Sequence, residues 1–357
     1  MKKILFAAYS LDVGGIETAL INLLKKICND YEITLVLEKK EGIFLKELPE
    51  NINVIEYRKS NSSNVFIRKI QNFLKQILFK FKYRNKFDYS VCFATYSLPC
   101  SFVTRMASKN PILFVHNDYM SFYNNDVKQY REFFYNLHIF EYKKIVFVSN
   151  YDKAVFDIKM HEFASRTIFI NNLIDYEKII NKSEERIEDL KNSKDITFIN
   201  IGRHDEKQKK LSRIIAATKK LNKQKYKFRV IFIGDGQDDE KYFKQAKGVK
   251  NIEFLGVKKN PYPYLKKSDC LIMSSQFEGY PVVFVEAMIL NKPIVTTLVS
   301  DANKDIDNKF GIVTENSLDG VYLGMKQFLD QGFVIKDKFD PKKFNENIIK
   351  ELKKLFS

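Results

Sequence analysis

The sequence has no uninterrupted apolar run approaching the roughly 18 residues of a membrane-spanning helix, so any membrane contact is expected to be peripheral. It has no C-x-x-C pair. Its four cysteines, Cys28, Cys92, Cys100 and Cys270, lie in or beside apolar runs, which argues against a zinc site or a disulfide framework and fits a reducing cytoplasm. Gly/Pro-rich and low-complexity stretches are missing too, which removes disordered and fibrous architectures. The start, Met1 to Tyr9, is basic then apolar, but it meets Asp12 and Gly14 instead of a small-residue cleavage site and reads as a first strand, not a signal peptide. The last absence is local: between Arg58 and Phe87 there is not one Asp or Glu.

What remains is ample for ordinary folding. A chain of 357 residues with 45% hydrophobic, 14% aromatic and 29% charged side chains suggests a soluble globular protein of two domains, with three possible. Its net charge of +16 attracts phosphates, nucleic acid or anionic lipid without choosing among them. More than half of that charge lies in the acid-free segment, which holds nine Lys or Arg. There Phe66, Ile70, Phe73, Leu74, Ile77, Leu78 and Phe81 share one helical face, while Arg68, Lys69, Lys75, Lys80 and Lys82 spread over the remainder. Such a helix can lie on anionic lipid with its aromatic face inward. Alternatively, its apolar face packs on a sheet as a crossover helix and only the cations touch the bilayer. Nucleic acid is not an expected partner, because no RNP-like motif or reading helix accompanies the segment.

Short runs rich in Ile, Val and Phe alternate with amphipathic stretches, the pattern of βαβ units and parallel sheets. Strands are predicted at Ile4 to Tyr9, Ile33 to Leu37, Val54 to Tyr57, Ser90 to Ala94, Ile112 to Val115, Ile145 to Ser149 and Thr167 to Ile170. Residues 176 to 195 break the pattern and read as a linker or an exposed helix. It restarts at Ile196 to Ile201, Phe228 to Ile233, Ile252 to Leu255, Cys270 to Met273, Pro293 to Thr296 and Ile312 to Val313. Asn345 to Phe356 suits a terminal helix. Ligands of open parallel sheets bind beyond the carboxyl ends of the strands, and two such edges facing each other would make an interdomain cleft.

Chemistry-bearing residues cluster at those ends. After the strand Cys270 to Met273 come Glu278, Gly279, Tyr280, Pro281 and Val282, then Glu286 inside an apolar helical stretch. Pro281 fits a first helical turn, whose free N–H groups can hold an anion. A helical Glu between Val285 and Ala287 is poorly explained as a solvated charge; holding hydroxyls would explain it. After Ile201 come Gly202, Arg203 and three lysines, Lys207, Lys209 and Lys210. An Arg fork and a Lys can stabilise the charge left on a departing diphosphate. Gly234-Asp235-Gly236 follows another strand, and on its own is turn chemistry. In the first half Gly14 and Gly15 open a helix after strand one, where the backbone can approach a ligand closely, though no G-x-G-x-x-G can be drawn. His116 ends a strand at the sheet's carboxyl edge. His138, His161 and His204 read as structural or surface residues.

The segment from Phe277 to Met288 resembles the Glu-x7-Glu motif of retaining glycosyltransferases of the GT-B fold, in particular glycosyltransferase family 4. The resemblance runs the length of the chain and is more specific in the C-terminal half. It implies an α/β architecture of two Rossmann-like domains facing across a cleft: an acceptor-side domain at 1–175, a nucleotide-sugar domain at 176–340, and a terminal helix at 341–357 packing back toward the first domain. By the same resemblance Glu286 binds the ribose hydroxyls and Glu278 lies by the donor sugar. Arg203 and a nearby Lys hold the diphosphate, with spacing to Leu211 favouring Lys209. His116 hydrogen-bonds the donor sugar, Gly14 and Gly15 face the diphosphate and acceptor, and Gly279, Tyr280, Pro281, Val282, Gly234 and Gly236 line the donor site.

The implied activity is metal-independent, retaining transfer of a sugar from a nucleotide diphosphate sugar, UDP-linked by family frequency, to a hydroxyl of a lipid-linked saccharide in cell-surface polysaccharide assembly. It needs no cofactor, and the enzyme is expected in the cytoplasm, peripheral on the inner face of the membrane. Asp305-Ile306-Asp307 resembles the Asp-x-Asp metal clamp of the other large glycosyltransferase fold, but it reads as part of a solvated charged loop. Two other functions compete. A non-catalytic sugar or polyanion receptor is opposed by the Glu278/Glu286 pair, and a nucleotide-sugar epimerase of the same fold would need acid/base groups beyond His116.

Overall fold

The computed structural model describes residues 1–12, 14–190, 193–299 and 302–357. Contacts divide the chain into two compact units, Met1–Leu173 with Asn347–Ser357, and Ile174–Glu346. The sequence-based boundary lay at 175/176, with residues 341–357 set apart as a terminal helix.

The first unit is built on β1 (Lys3–Ala8), β2 (Glu32–Leu37), β3 (Asn53–Glu56), β4 (Tyr89–Cys92), β5 (Pro111–Val115), β6 (Lys144–Phe147) and β7 (Thr167–Phe169). They form a seven-stranded sheet in the order β3-β2-β1-β4-β5-β6-β7, and every ladder in it is parallel. The second unit holds β8 (Ile196–Ile201), β9 (Phe228–Ile233), β10 (Ile252–Phe254), β11 (Cys270–Ile272), β12 (Ile294–Thr297) and β13 (Gly311–Thr314). Its six strands, also parallel, run in the order β10-β9-β8-β11-β12-β13. Helices cover both faces, so the strands read as continuous apolar runs instead of alternating ones. Alternate side chains of β8 and β9 nevertheless serve two different cores. Ile199, Ile231 and Ile233 join one with Phe284 and Leu265, and Phe198, Val230 and Phe232 join the other with Ile214 and Met325. That is the period-two geometry of a strand.

Both sheets reverse direction beside their first strand, β1 against β4 and β8 against β11. The loops leaving two such neighbours diverge and open a crevice at the carboxyl edge, the usual place for a ligand in open α/β sheets.

Three segments differ from the sequence-based expectation. Of the two readings of residues 176–195, a linker or an exposed helix, the helix is present at Tyr176–Ser183, but it is not wholly exposed, and residues 191 and 192 lie outside the described residues. The helix Tyr176–Ser183 buries Ile179, and Leu190 is buried in the same core. Asp189 ties this stretch to Lys258 and Tyr264, both at 2.5 Å. The basic segment is a helix, Val65–Tyr83, capped by Asn64, whose side chain accepts the N–H groups of Phe66 and Ile67. It does not lay its apolar face on the sheet. Phe79, outside the apolar stripe read from the sequence, is its one buried residue, stacked among Tyr57, Tyr83 and Phe102. The seven stripe residues are exposed, Phe81 by 90%. The terminal helix spans Pro341–Leu355, starting earlier than the periodicity suggested. Just after it, Phe356 is buried among Phe6, Tyr31 and Tyr89 of the first unit.

These placements set two substitutions apart. Phe198→Ala removes a fully buried ring packed edge-on to Phe328 and should lower unfolding free energy by about 3–5 kcal/mol. Phe73→Ala removes an exposed ring and should change it by less than about 0.5 kcal/mol. Chemical denaturation of both variants beside wild type checks the contrast.

Candidate functional site

In the second unit the loop after β8 carries the basic residues, and the next helix, Leu211–Lys223, begins after Lys210 in left-handed conformation at φ 52°. The loop is shaped by backbone contacts that only glycine permits. A Cβ on Gly234, itself at φ +135°, would meet the Gly202 carbonyl oxygen at 1.9 Å, and one on Gly236 would meet the His204 carbonyl oxygen at 2.1 Å. Gly234 and Gly236 therefore let the loop after β9 lie flat on the loop after β8, a packing duty. His204 fixes the same junction. It is buried, with Nδ1 2.5 Å from Asp239 Oδ1 and edge-on to Phe232 and Tyr242, which agrees with a structural role.

The loop after β11 is clasped to the loop after β8. Ser274 Oγ donates to the carbonyls of Lys209 and Lys210, both at 2.9 Å, and the Gln276 N–H donates to the Gln208 carbonyl at 2.6 Å. Arg213 holds the segment from the other side, donating to Ser274 O, Asn316 Oδ1 and Gln276 Oε1 at 3.2, 2.5 and 2.7 Å. Glu278, held by this frame, is buried and meets Lys209 Nζ at 2.6 Å, with Gln208 Nε2 3.4 Å from its second oxygen. Of the three lysines in the loop, Lys209 is thus the one that reaches Glu278. Lys207 is exposed, and Lys210 forms the start of the helix. Arg203 is exposed and is held 3.0 Å from Gln208 Oε1 and 3.5 Å from Asp205. Its fork is therefore within reach of a ligand without leaving a buried charge behind.

Beyond Glu278 the chain passes Gly279 and Tyr280 to Pro281, which caps the helix Val282–Ile289 from an extended conformation. Pro281 stands one residue before the first turn in which the sequence placed it. Tyr280 donates its hydroxyl to Asp305 at 3.2 Å, and Asp305 lies in the short helix Ala302–Ile306 instead of a charged loop. Among the described residues no group of three or more His, Cys, Asp or Glu could hold a metal.

Glu286, on that helix, is buried like Glu278 but differently surrounded. It accepts a hydrogen bond from the Tyr262 hydroxyl at 3.3 Å, and burial pushes its carboxyl up to about 7, which the Tyr262 hydrogen bond only partly offsets. A carboxylate held out of water without a cation is completed by neutral donors, and a pair of sugar hydroxyls supplies them.

In the first unit, Gly14 caps the helix Gly15–Ile27 with extended backbone, φ −174°. A Cβ there would meet Glu17 Oε2 at 2.1 Å. A carboxylate from the helix's own first turn thus lies over its N-terminus, as the macrodipole favours, where the sequence suggested open N–H groups. His116 follows β5 against Phe93, at 4.3 Å between ring centroids, and Phe114. Both its ring nitrogens are buried without a partner, and burial lowers its pKa to about 3. The ring is neutral at physiological pH and can donate from one nitrogen and accept at the other. A polar group of a ligand would complete these two nitrogens. Gln208, Arg213, Tyr262 and Glu17 were not singled out in the sequence. Gln208 stands between two of the candidate lysines, but nothing local reveals that Tyr262, in Asn260-Pro261-Tyr262-Pro263, reaches Glu286.

Residues 181–354 match the family model for glycosyl transferases group 1. Over 190 residues the chain is 29% identical to an uncharacterized glycosyltransferase of Methanocaldococcus jannaschii, covering 49% of this chain and 46% of that protein, so it spans about half the length of that relative. Over 349 residues, 92% of this chain and 91% of the other, it is 24% identical to the N-acetylgalactosamine-N,N'-diacetylbacillosaminyl-diphospho-undecaprenol 4-alpha-N-acetylgalactosaminyltransferase of Campylobacter jejuni. Among solved structures, Anabaena HepE in complex with UDP and glucose superposes with a TM-score of 0.77 at 18% identity, covering 99% of this chain and 100% of that one. The two-sheet α/β architecture is GT-B.

The environment of Glu286 predicts a pH signature. Its carboxyl titrates near 7 when folded against 4.5 as the ordinary value, so the folded protein keeps this proton longer than the unfolded chain. Stability should therefore fall as pH rises from about 4.5 to about 7 and level off above, by up to roughly 3 kcal/mol. Glu286→Gln should lack this component. Melting curves of both proteins across that window check it, and parallel curves would remove the assigned environment.

Proposed function

We propose that this GT-B protein is a retaining glycosyltransferase that moves a sugar from a UDP-sugar to a hydroxyl of a lipid-linked saccharide. The observation that carries the reading is the pair of buried carboxylates beside the β8/β11 crevice: Glu278 joined to a lysine, and Glu286 buried beside a tyrosine hydroxyl. In this reading Glu286 accepts from the ribose hydroxyls. Arg203 and Lys209 receive the diphosphate, and cations held in place stabilise the departing oxygen more than reorienting water would. Glu278 keeps Lys209 positioned until the diphosphate arrives and then faces the donor sugar. His116, neutral and without a protein partner, hydrogen-bonds a hydroxyl of that sugar.

Among the described residues none presents itself as a covalent nucleophile. The reaction is therefore a front-face displacement. The bond from the anomeric carbon to the diphosphate oxygen breaks, the acceptor oxygen bonds to the same face, and the acceptor's proton passes to the departing phosphate. Support for a lipid-linked acceptor comes from the Campylobacter relative, whose name specifies a diphospho-undecaprenol substrate. Support for UDP comes from the nucleotide in the HepE complex. The exposed basic helix Val65–Tyr83 suits attachment to the inner face of the cell membrane; no helix among the described residues is long and apolar enough to cross one.

The deciding experiment is a screen of nucleotide sugars for slow hydrolysis without acceptor, with the anomeric configuration of the first-formed product read by NMR. Nucleotide binding without any turnover, in the screen and with saccharide acceptors, would make the protein a receptor.

Two predictions accompany it. Arg203→Ala and Lys209→Ala, checked for folding by circular dichroism, should lower kcat by roughly a hundredfold or more with smaller changes in KM, whereas Lys207→Ala should stay near wild type. A crippled Lys207→Ala beside an intact Lys209→Ala would shift the diphosphate role by two residues. Activity should also persist in chelator; strict dependence on manganese or magnesium would give Asp305 and Asp307 a part.

A further inference from the structure

Glu286 keeps some contact with solvent, at 8% exposed, whereas Phe284 and Ala287 on the same helix are fully buried. Among the described residues one side chain bonds it, the Tyr262 hydroxyl, 3.3 Å from Oε1. Other ionisable groups on the neighbouring elements are engaged elsewhere. On the helix Tyr176–Ser183, Lys182 pairs with Glu185 at 3.2 Å. On the helix Tyr262–Lys267, Lys266 pairs with Glu184 and Tyr264 donates to Asp189 at 2.5 Å. Tyr280, ahead of the helix that carries Glu286, donates to Asp305. Tyr176, Glu177, Lys178, Lys267 and Lys292 make no hydrogen bond or ion pair to Glu286.

Tyr262 is itself held from two directions. It stands between Pro261 and Pro263, whose rings fix their own φ and restrict the residue before each, so the backbone on both sides has little freedom. The loop in front of it, after β10, is fastened to residues 182–189. Asn260 Nδ2 donates to the Lys182 carbonyl at 2.8 Å and to Glu185 Oε2 at 2.7 Å, while its Oδ1 accepts the Tyr262 N–H at 3.2 Å. Lys258 adds an ion pair to Asp189 at 2.5 Å. One amide side chain thus joins the 182–189 segment to the backbone of Tyr262.

We infer that Tyr262 is a positioning residue for Glu286, holding its carboxylate charged and oriented for a pair of ligand hydroxyls, and that Asn260 fixes Tyr262 in place from residues 182–189. The inference rests on the hydroxyl-binding role proposed above for Glu286. Tyr262 occupies Oε1 and leaves Oε2 to the ligand. An ionised carboxylate only accepts hydrogen bonds, so it suits two hydroxyl donors, whereas a protonated one gives up part of that capacity. A neutral donor on the carboxylate favours its charged form and opposes the effect of burial, which raises the Glu286 carboxyl to about 7. Affinity for the nucleotide should therefore increase as pH rises through that value, and loss of the Tyr262 hydroxyl should displace the increase to higher pH.

Calorimetry with UDP from about pH 5.5 to about pH 8.5 tests this, with Glu286→Gln supplying the baseline due to the diphosphate and to other groups. Relative to that baseline, wild-type affinity should rise through a midpoint near 7. Tyr262→Phe should move the midpoint up and weaken UDP binding at neutral pH by roughly tenfold, the two proteins drawing together at the alkaline end. Asn260→Ala should shift the profile the same way by less, and add nothing in the Tyr262→Phe background. A Tyr262→Phe profile that superposes on wild type would make the tyrosine a packing residue. Tighter binding by that variant would make its hydroxyl a competitor of the ligand, and a fully additive Asn260 effect would detach the loop from Tyr262. Melting curves without ligand read the same shift: the loss of stability with rising pH, which levels off near 7 in wild type, should continue to higher pH in Tyr262→Phe, and unchanged curves overturn the inference. That arm needs no nucleotide, so a protein that binds no UDP sinks the proposed donor role while the melting curves still judge Tyr262.

Discussion

The ion pair between Lys209 and Glu278 joins two loops that arise on different strands, β8 and β11, at the point where the second sheet reverses its strand order. Lysine and glutamate are both largely out of water there, so neither tolerates the loss of the other. Removing one partner from a buried pair leaves an uncompensated charge, which is destabilising by about 3–5 kcal/mol. The surrounding frame, in which Ser274, Gln276 and Arg213 bridge the same loops, keeps the two groups in register. Everything that makes the crevice a site depends on that register. Lys209 is fixed on Glu278, and Glu278 is held at the head of the segment that leads to Glu286.

Two carboxylates separated by seven residues therefore occupy opposite electrostatic settings. Glu278 has a cation at hydrogen-bonding distance. Glu286 is buried beside a tyrosine hydroxyl, and its carboxyl is raised accordingly. Environments that push paired acids apart are how one site assigns different tasks to identical side chains. Here the first is suited to organising charge and the second to accepting hydroxyls. His116 shows the same logic in the first unit, where aromatic burial fixes the neutral ring and leaves both nitrogens to a ligand.

The helix Val65–Tyr83 obeys a different constraint. It is anchored by Phe79 alone among its buried residues, and the rest of its apolar surface faces water beside an unopposed run of cations. Exposed apolar surface of this extent marks an interaction surface.

The alternation of apolar runs with amphipathic stretches was enough to predict thirteen parallel strands and their division into two α/β halves, because strand and helix periods are local properties of the chain. Glu286 was legible for a similar reason, since a charged residue inside an apolar helical run is anomalous wherever it occurs, whereas Glu278 was picked out by its resemblance to a motif. Other features depended on residues far apart in sequence. Which of three adjacent lysines meets Glu278 is decided by the pairing of β8 with β11, and the lysines are chemically alike. Tyr262 reaches Glu286 only because a turn near the start of one helix packs beside another. The glycines after β9 read on their own as turn chemistry, and only the folded chain shows that they bring two loops into backbone contact. The stripe on the basic helix was readable as amphipathic, yet periodicity cannot say whether an apolar face meets protein or water. Phe79 settled that through its contact with Tyr57 and Phe102. Local pattern thus determined the elements and marked the unusual charges, and long-range packing decided which of those charges face one another.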